Sequence, residues 1–193
     1  MSSQRAPRIG RDFPRVLAGA RSGDGTAFER LYLAFAPSVA GYLRLQGVED
    51  PDGLTNEVFL SVFGRLREFA GDEDGFRSWL FTIAYRRVVD DRRRRSRRPV
   101  GADGVAPEQA GADRPGGDAE ADALHHLGTD WVCELAAGLS PDQRDVLLLR
   151  MVVGMTVEEV AETLGKAPTA VKALQRRAVG ALRRRFEREG VSR

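Results

Sequence analysis

The chain has 193 residues, 42% of them apolar and 7% aromatic, which is enough for one mid-sized domain or two small ones. Since 30 basic residues oppose 28 acidic ones, the net charge of +2 does not by itself indicate a nucleic-acid-binding protein. A single cysteine, Cys133, excludes a disulfide framework and is typical of a reducing compartment. No apolar run reaches the roughly 20 residues that cross a bilayer, and the first residues lack the apolar core of a signal peptide. The composition predicts a soluble cytoplasmic protein without direct membrane insertion.

The first helical module is predicted over residues 14–98, where apolar residues recur at helical spacing and no alternating strand pattern occurs. Three apolar stripes lie at 28–43, 54–66 and 79–88, and three amphipathic helices can close one core. Residues 1–13 carry no readable signal and are predicted to be disordered.

Composition changes after this module. Residues 99–128 are rich in Gly, Ala, Pro and Asp, with too little apolar surface to offset the entropy lost on ordering. They predict a disordered acidic linker. The helical pattern returns over residues 129–193, so the predicted fold is all-α, with two small helical domains and a flexible tether between them.

Several helix starts are marked by capping residues. Asp50 offers an N-cap acceptor directly before Pro51, which suits the first helical position because its missing N–H is not needed there. Ser140 with Gln143, and Thr156 with Glu159, have the spacing of capping boxes. Pro168 opens a further helix, although Ala167 before it is a poor cap.

A helix-turn-helix is predicted between residues 157 and 174. Two short helices that cross steeply need a small residue at the crossing, here Ala161, and a turn residue that tolerates positive φ, here Gly165. Apolar anchors on both helices are Val160, Leu164, Val171 and Leu174. Within this second module, Arg150 apart, most of the exposed positive charge is expected to follow the turn, at Lys166, Lys172, Arg176, Arg177, Arg183, Arg184 and Arg185.

This charge asymmetry predicts that the second helix lies in a DNA major groove. The alternative is an ordinary helical hairpin with a solvated basic face, and the agreement of turn and charge favours DNA binding. We expect base-edge contacts from Lys172 and Arg176 and phosphate contacts from Arg183 and Arg184, with Arg177 open between the two roles. Thr169 and Ala173 complete the predicted DNA-facing set.

A second basic cluster ends the first module, at Arg86, Arg87, Arg92, Arg93, Arg94, Arg95, Arg97 and Arg98. Nucleic-acid phosphate is the natural counterion for such density, and arginine planes also stack on unpaired bases. The aromatic residues Phe76, Trp79 and Tyr85 could add stacking surface, but helical spacing alone favours a core role for Phe76 and Trp79.

No catalytic arrangement is found. His125, His126 and Cys133 would supply at most three ligands from the predicted linker region, without the spacing of a closed metal site. Phosphate-cradling glycine loops, nucleophile elbows and zinc-protease motifs are missing from the sequence. The sequence predicts no enzyme, no metal, no cofactor and no small-molecule substrate.

Four segments together resemble the extracytoplasmic-function (ECF) type of bacterial sigma factor in the sigma-70 family. Residues 24–32 are similar to the family's opening helix, and 50–59 to the helix that binds the polymerase clamp. Residues 69–84 resemble the loop and helix that engage the minus-10 promoter element. Residues 139–144 and the turn-helix beyond them resemble the module that reads the minus-35 element.

The resemblance implies core RNA polymerase and promoter DNA as partners, together with an anti-sigma factor. It implies that a polymerase-facing set consists of Asp52, Asn56 and Glu57. A minus-10 set would contain Gly71, Asp72 and Phe76 of the base-capturing loop and the arginines Arg86, Arg87, Arg93 and Arg94. The helix-turn-helix residues above would read the minus-35 element.

One competing hypothesis is a two-domain helix-turn-helix regulator that acts without recruiting polymerase. A dimeric regulator fixes its half-site spacing through a firm interface, whereas a flexible linker needs an external scaffold. The linker therefore favours the sigma-factor hypothesis. A small nuclease ranks third, because the scattered carboxylates predict no metal cluster.

Overall fold

The computed structural model describes residues 8–97, 134 and 136–188, and this part of the chain contains helices but no strand. The elements are a 3-10 turn at Gly10–Asp12, α1 (Phe13–Arg21), α2 (Gly25–Leu45), α3 (Pro51–Gly64), α4 (Glu73–Arg97), α5 (Pro141–Leu147), a π-helical turn at Leu148–Val153, α6 (Val157–Leu164) and α7 (Pro168–Arg188). The all-α prediction is confirmed. The predicted linker, both histidines and Cys133 lie outside the described residues.

The first module packs α1 to α4 around a core of aromatic rings. The predicted stripes lie on α2, α3 and α4, and Phe35, Val58 and Phe76 are fully buried. The Asp50 side chain accepts a hydrogen bond from Gly53 N at 2.8 Å, so the predicted cap of α3 is confirmed. α1 was not predicted as a separate helix, and its Phe13 ring lies 5.6 Å from the Phe76 ring.

The segment before α1 is ordered from residue 8, so the prediction of disorder over residues 1–13 is wrong for 8–13. Ile9 N and Gly10 N each donate a hydrogen bond of 2.8 Å to the carboxylate of Glu73, which is buried at the start of α4. Because those acceptors lie more than sixty positions along the chain, no local pattern indicates that they hold this segment.

The second module begins with both predicted capping boxes, at Ser140 with Gln143 and at Thr156 with Glu159. α5 continues into the π-helical turn, which ends at Gly154 with φ of 87°. Gly165 adopts φ of 62° between α6 and α7, as the helix-turn-helix requires. All four predicted anchors are buried or half-buried between the two helices.

The two modules share one continuous apolar core within the described residues. α2 and α4 contact the π-helical turn, and α4 also contacts α6. Met155, just after that turn, is 2% exposed and shares a cleft with Trp79 and Ile83 of α4. The modules of this structure are therefore packed against each other rather than separated.

Candidate nucleic-acid interfaces

The outer face of α7 carries the predicted duplex-reading side chains. Lys172, Arg176 and Arg177 are exposed, while Val171 and Ala178 are fully buried against α5 and α6. The predicted orientation of this helix is confirmed. Thr169 stands exposed in its first turn, and Ala173 is half-buried beside the cationic face.

Two contacts hold α7 in its orientation behind that face. The Arg150 guanidinium donates to Gln175 Oε1 on α7 at 3.4 Å and to the carbonyl of Met155. Lys166, in the turn, pairs with Asp142 of α5 at 2.9 Å. Lys166 and Arg150 therefore fix the helix-turn-helix.

The later arginines of α7 also have two roles, because some are exposed and one anchors the helix. Arg183 and Arg184 are exposed, whereas Arg185 donates to the carbonyl of Glu134 at 2.8 Å and thereby anchors the helix to the start of the module. Arg183 and Arg184 are thus accessible to phosphate.

The basic run on α4 is also mixed in character. Arg86, Arg93 and Arg94 point to solvent. Arg92 instead pairs with Asp145 of the second module at 2.9 Å, and Arg95 pairs with Asp91 at 2.7 Å. The whole arginine run was predicted to bind nucleic acid, but Arg92 and Arg95 form ion pairs within the protein and so contribute to its folding.

The loop before α4 is stabilised by its own residues. Asp72 Oδ1 accepts a hydrogen bond from Gly75 N at 2.8 Å and caps α4. A Cβ added to Gly71 would lie 3.0 Å from the ring of Phe69. Both Gly71 and Asp72 remain exposed.

The assignment of Phe76 to the minus-10 set requires a correction. Its ring is fully buried, 5.2 Å from Phe35 and 5.5 Å from Phe69, so it packs in the core and cannot stack on a base in this arrangement. Trp79 is half-buried and stacks on Phe69 at 5.2 Å with an interplanar angle of 24°. The core alternative therefore holds for Phe76, because its helical position faces the bundle.

A polar face on α3 brings together Asp52, Asn56 and Glu57, all of them exposed. Each has one partner on a neighbouring helix: Asp52 with Arg44 at 3.1 Å, Asn56 with the hydroxyl of Tyr32 at 2.9 Å, and Glu57 with Arg87 at 3.6 Å.

Beside this face runs a groove of about 350 Å³ between α2 and α3, lined by Tyr32, Leu33, Ala36, Pro37, Ala40, Arg44, Asp52, Thr55 and Asn56. Leu33 and Leu60 flank the polar residues and are 63% and 74% exposed. A polar face with exposed apolar side chains at its margin is typical of a protein-binding surface.

Sequence reasoning missed one cluster, in which Arg92 and Gln46 of the first module meet Asp145 of the second. Asp145 is only 3% exposed. Burial opposes the charge on Arg92, but the hydrogen bond and charge of Asp145 outweigh it, so the pKa of Arg92 lies above its usual value. Burial, and then the charge of Asp145, raise the pKa of the neighbouring Tyr42 hydroxyl. These residues are far apart in sequence and meet only in the folded structure.

Within the described ranges, no group of histidine, cysteine or acidic side chains is arranged to hold a metal ion. Among the helices seen here, none combines the length and apolar character that a membrane span needs.

Comparison with known proteins identifies the two modules. The family model for sigma-70 region 2 matches residues 31–98, and the model for sigma-70 region 4 matches residues 131–182. The ECF RNA polymerase sigma factor SigD of Mycobacterium tuberculosis is 30% identical over 87% of this chain and 81% of its own. The chain belongs to the ECF sigma factors of the sigma-70 family. The resemblance seen in the sequence is therefore confirmed.

Further relatives agree with this assignment. The ECF RNA polymerase sigma factor BldN of Streptomyces coelicolor is 32% identical over 86% of this chain, which spans 62% of the length of BldN. The fold is similar to that of the sigma factor RpoE solved in complex with the anti-sigma factor NepR from Bartonella quintana, with a TM-score of 0.60, 22% identity and coverage of 86% of this chain and 98% of that one. Membership of this family favours the sigma-factor hypothesis over a regulator that acts alone.

Proposed function

We propose that this ECF sigma factor binds core RNA polymerase and directs it to promoters in the cytoplasm. The observation that carries the proposal is the presence, in one chain, of an exposed cationic helix on a helix-turn-helix and a separate polar protein-binding face on α3. Bond formation belongs to the polymerase, so the chain itself acts as a specificity subunit and not as an enzyme.

The helix-turn-helix reads duplex DNA at the minus-35 element. Lys172 and Arg176 are one turn apart on the exposed face, so both reach the floor of a groove that α7 enters. Arg183 and Arg184 lie two turns further on and reach the sugar-phosphate backbone. Thr169 and Ala173 supply the short side chains that let the helix approach closely.

The first module holds DNA at the minus-10 element. Arg86, Arg93 and Arg94 provide the exposed charge of α4, and Gly71 and Asp72 form the loop at its amino end. Because Phe76 is buried, its contribution is to support that loop from within the core.

The polymerase contact is made by α3. The side chains of Asp52 and Glu57 are 73% and 48% exposed, so charge on a partner can reach them. Leu33 and Leu60 add apolar area at the margins of the same face. A face of this composition suits a basic helical surface with apolar side chains.

An anti-sigma partner is part of the proposal. RpoE was solved with the anti-sigma factor NepR, and this chain has an apolar groove of about 370 Å³ lined by Leu45, Ala136, Leu139, Leu147, Leu148, Met151, Val152, Val179, Leu182, Arg183 and Phe186. Met151 is 65% exposed there. An anti-sigma factor that binds in this groove should lose affinity for a Met151→Glu variant, whereas the binding of that variant to core polymerase should be unchanged.

The deciding experiment mixes the full chain with core RNA polymerase and follows co-elution and promoter-directed RNA synthesis. We expect both, and both should depend on the presence of the chain. DNA binding without co-elution would support the regulator that acts alone. Co-elution without RNA from any promoter of the source organism would contradict the promoter-directing role.

A further inference from the structure

The loop between α3 and α4, residues 65–72, is held in its first half by the last residue of α1. Arg21 Nε donates to the carbonyl of Leu66 at 3.4 Å, and Arg21 Nη2 donates to the carbonyl of Phe69. Both acceptors are backbone atoms more than forty positions further along the chain. Because a guanidinium is planar and carries its donors in a rigid fork, these contacts fix the path of the loop backbone. We call them the Arg21 anchor.

The far end of the loop is held by the segment before α1. Glu73 begins α4 directly after the loop, and its carboxylate accepts hydrogen bonds of 2.8 Å from Ile9 N and Gly10 N. Glu73 is only 8% exposed, so little water competes for these bonds. Arg8 Nη2 lies 2.6 Å from Asp74 Oδ1 and adds an ion pair one residue further along α4. We call these contacts the Glu73 anchor.

The residues assigned to base capture lie between the two anchors. Gly71 and Asp72 are exposed, whereas Leu66 and Phe69 are buried. The tip of the loop is therefore accessible while both of its ends are fixed. Such a loop has lost much of its conformational entropy before a base arrives, so binding does not have to order it.

The packing of α1 does not depend on the anchors. The apolar face of this helix is buried in the core through Phe13, Val16, Leu17 and Ala20. The anchors act instead on the loop backbone, where a shift of about 0.5 Å decides whether a hydrogen bond to a base edge can form. We therefore expect their loss to change recognition more than folding.

We propose that Arg21 and residues 8–10 are positioning residues for minus-10 recognition, which hold the loop tip in the shape that accepts an unstacked base and so set which base is preferred there. The inference rests on the proposed function. Each anchor acts through the backbone of the loop, so it influences the choice of base without contacting DNA. Without an anchor the tip samples several shapes, which accept different bases with similar affinity.

A library of barcoded promoters tests the Arg21 anchor. Core RNA polymerase with the full chain transcribes templates randomised at both promoter elements, and the RNA barcodes give the preference for each base. Because one wrong base costs about fivefold or more in binding, we expect Arg21→Ala to lower at least one minus-10 preference at least fivefold. The minus-35 preferences should stay unchanged. Arg15→Ala removes the same charge from an exposed position of α1 and should keep every preference.

A ratio of preferences separates positioning from stability. A variant that is merely less folded yields less RNA from every template, and its relative preferences remain those of the parent. Helical circular dichroism checks that each variant is folded. Unchanged minus-10 preferences in Arg21→Ala, or an equal loss of preference in Arg15→Ala, would overturn the inference.

The backbone donor at residue 9 tests the Glu73 anchor. Ile9 has φ of −73°, which a proline ring accepts, so Ile9→Pro removes the N–H that bonds to Glu73 without forcing a change in φ. Ile9→Ala keeps that N–H and loses more of the side chain. We expect Ile9→Pro to lower the same minus-10 preference at least about twofold and Ile9→Ala to retain it. Equal preferences in the two variants would overturn the role of residues 8–10.

Hydrogen exchange in the free protein separates this inference from the proposed function. The amides of residues 66–72 should exchange at least about fivefold faster in Arg21→Ala than in Arg15→Ala. Equal exchange would overturn the Arg21 anchor alone, even where the parent directs RNA synthesis normally. If the parent directs no RNA synthesis from any template of the library, the proposed function fails, and the inference on promoter recognition fails with it.

Discussion

Arg87 Nη1 lies 3.6 Å from Glu57 Oε2, so a residue of the predicted minus-10 set is paired with one of the predicted polymerase set. Arg87 also donates to Ser61 Oγ at 2.7 Å, which orients its guanidinium along α3. The two predicted surfaces thus meet along the contact of α3 with α4. Binding of polymerase at Glu57 would change the charge that Arg87 presents to DNA.

The first prediction concerns this pair. Glu57→Lys should weaken binding to core polymerase at least tenfold, because it reverses the charge on an exposed side chain of the proposed face. The free energy of unfolding should change by less than about 1 kcal/mol, since exposed ion pairs contribute little to stability. Titration of labelled protein with core polymerase and urea denaturation measure the two effects. Glu187→Lys, the same charge change on exposed α7, is the control, and equal binding by both variants would contradict the assignment.

The division of labour on α7 gives a second prediction. Lys172→Ala should cost about 1–3 kcal/mol on the preferred minus-35 duplex and much less on a scrambled one. Arg183→Ala should weaken both duplexes alike and reduce the salt dependence by about one unit of slope. Binding isotherms across a salt series distinguish these cases. Equal losses on both duplexes for both variants would remove the distinction between base and phosphate contacts.

Two glycines of the second module should respond in opposite directions to the same substitution. Gly165 has φ of 62°, so Gly165→Ala should destabilise the fold by about 1–2 kcal/mol. Gly180 lies inside α7, where an added Cβ meets nothing closer than the mobile Arg184 side chain at 3.5 Å. Gly180→Ala should therefore stabilise by about 0.5–1 kcal/mol. Urea unfolding of the two variants, compared with the parent, measures both signs.

The Thr156–Glu159 capping box predicts a pH dependence. Partial burial works against the charge of Glu159, but hydrogen bonds from Thr156 and Ser78 outweigh it, so the pKa of Glu159 lies below its usual value of 4.5. The carboxylate should stabilise the fold fully above the unfolded pKa, and this contribution should be lost as the pH falls through the lowered folded value. The difference in unfolding midpoint between the parent and Glu159→Gln should shrink in acid. A constant difference from pH 3 to pH 7 would contradict this.

Capping residues and apolar stripes predict much of the fold, because both depend on residues within one or two helical turns of each other. Asp50, Thr156 and Gly165 behave as their neighbours in sequence predict. The spacing of Phe13, Val16, Leu17 and Ala20 was also readable as the inner face of a helix. This stripe does not by itself predict a separate helix, because it is short and follows a segment without helical periodicity.

The remaining features depend on partners far away in sequence. Glu73 is buried because it accepts backbone hydrogen bonds from residues 9 and 10. Arg92 sits in an arginine run typical of phosphate binding, yet its partner is Asp145. In the candidate site, the exposed face of α7 follows from periodicity, whereas the contact of α4 with α6 is a tertiary property with no local pattern.

The Arg92–Asp145 bridge also has a consequence for protein synthesis. Arg92 and Asp145 are 53 positions apart, so at a ribosomal rate of about 5–20 residues per second the second partner is added about 3–10 s after the first. During that interval the nascent first module can complete its helices while Arg92 still lacks its partner from the second module. A first module that folds on the ribosome therefore begins with the Arg92 guanidinium solvated by water rather than by Asp145.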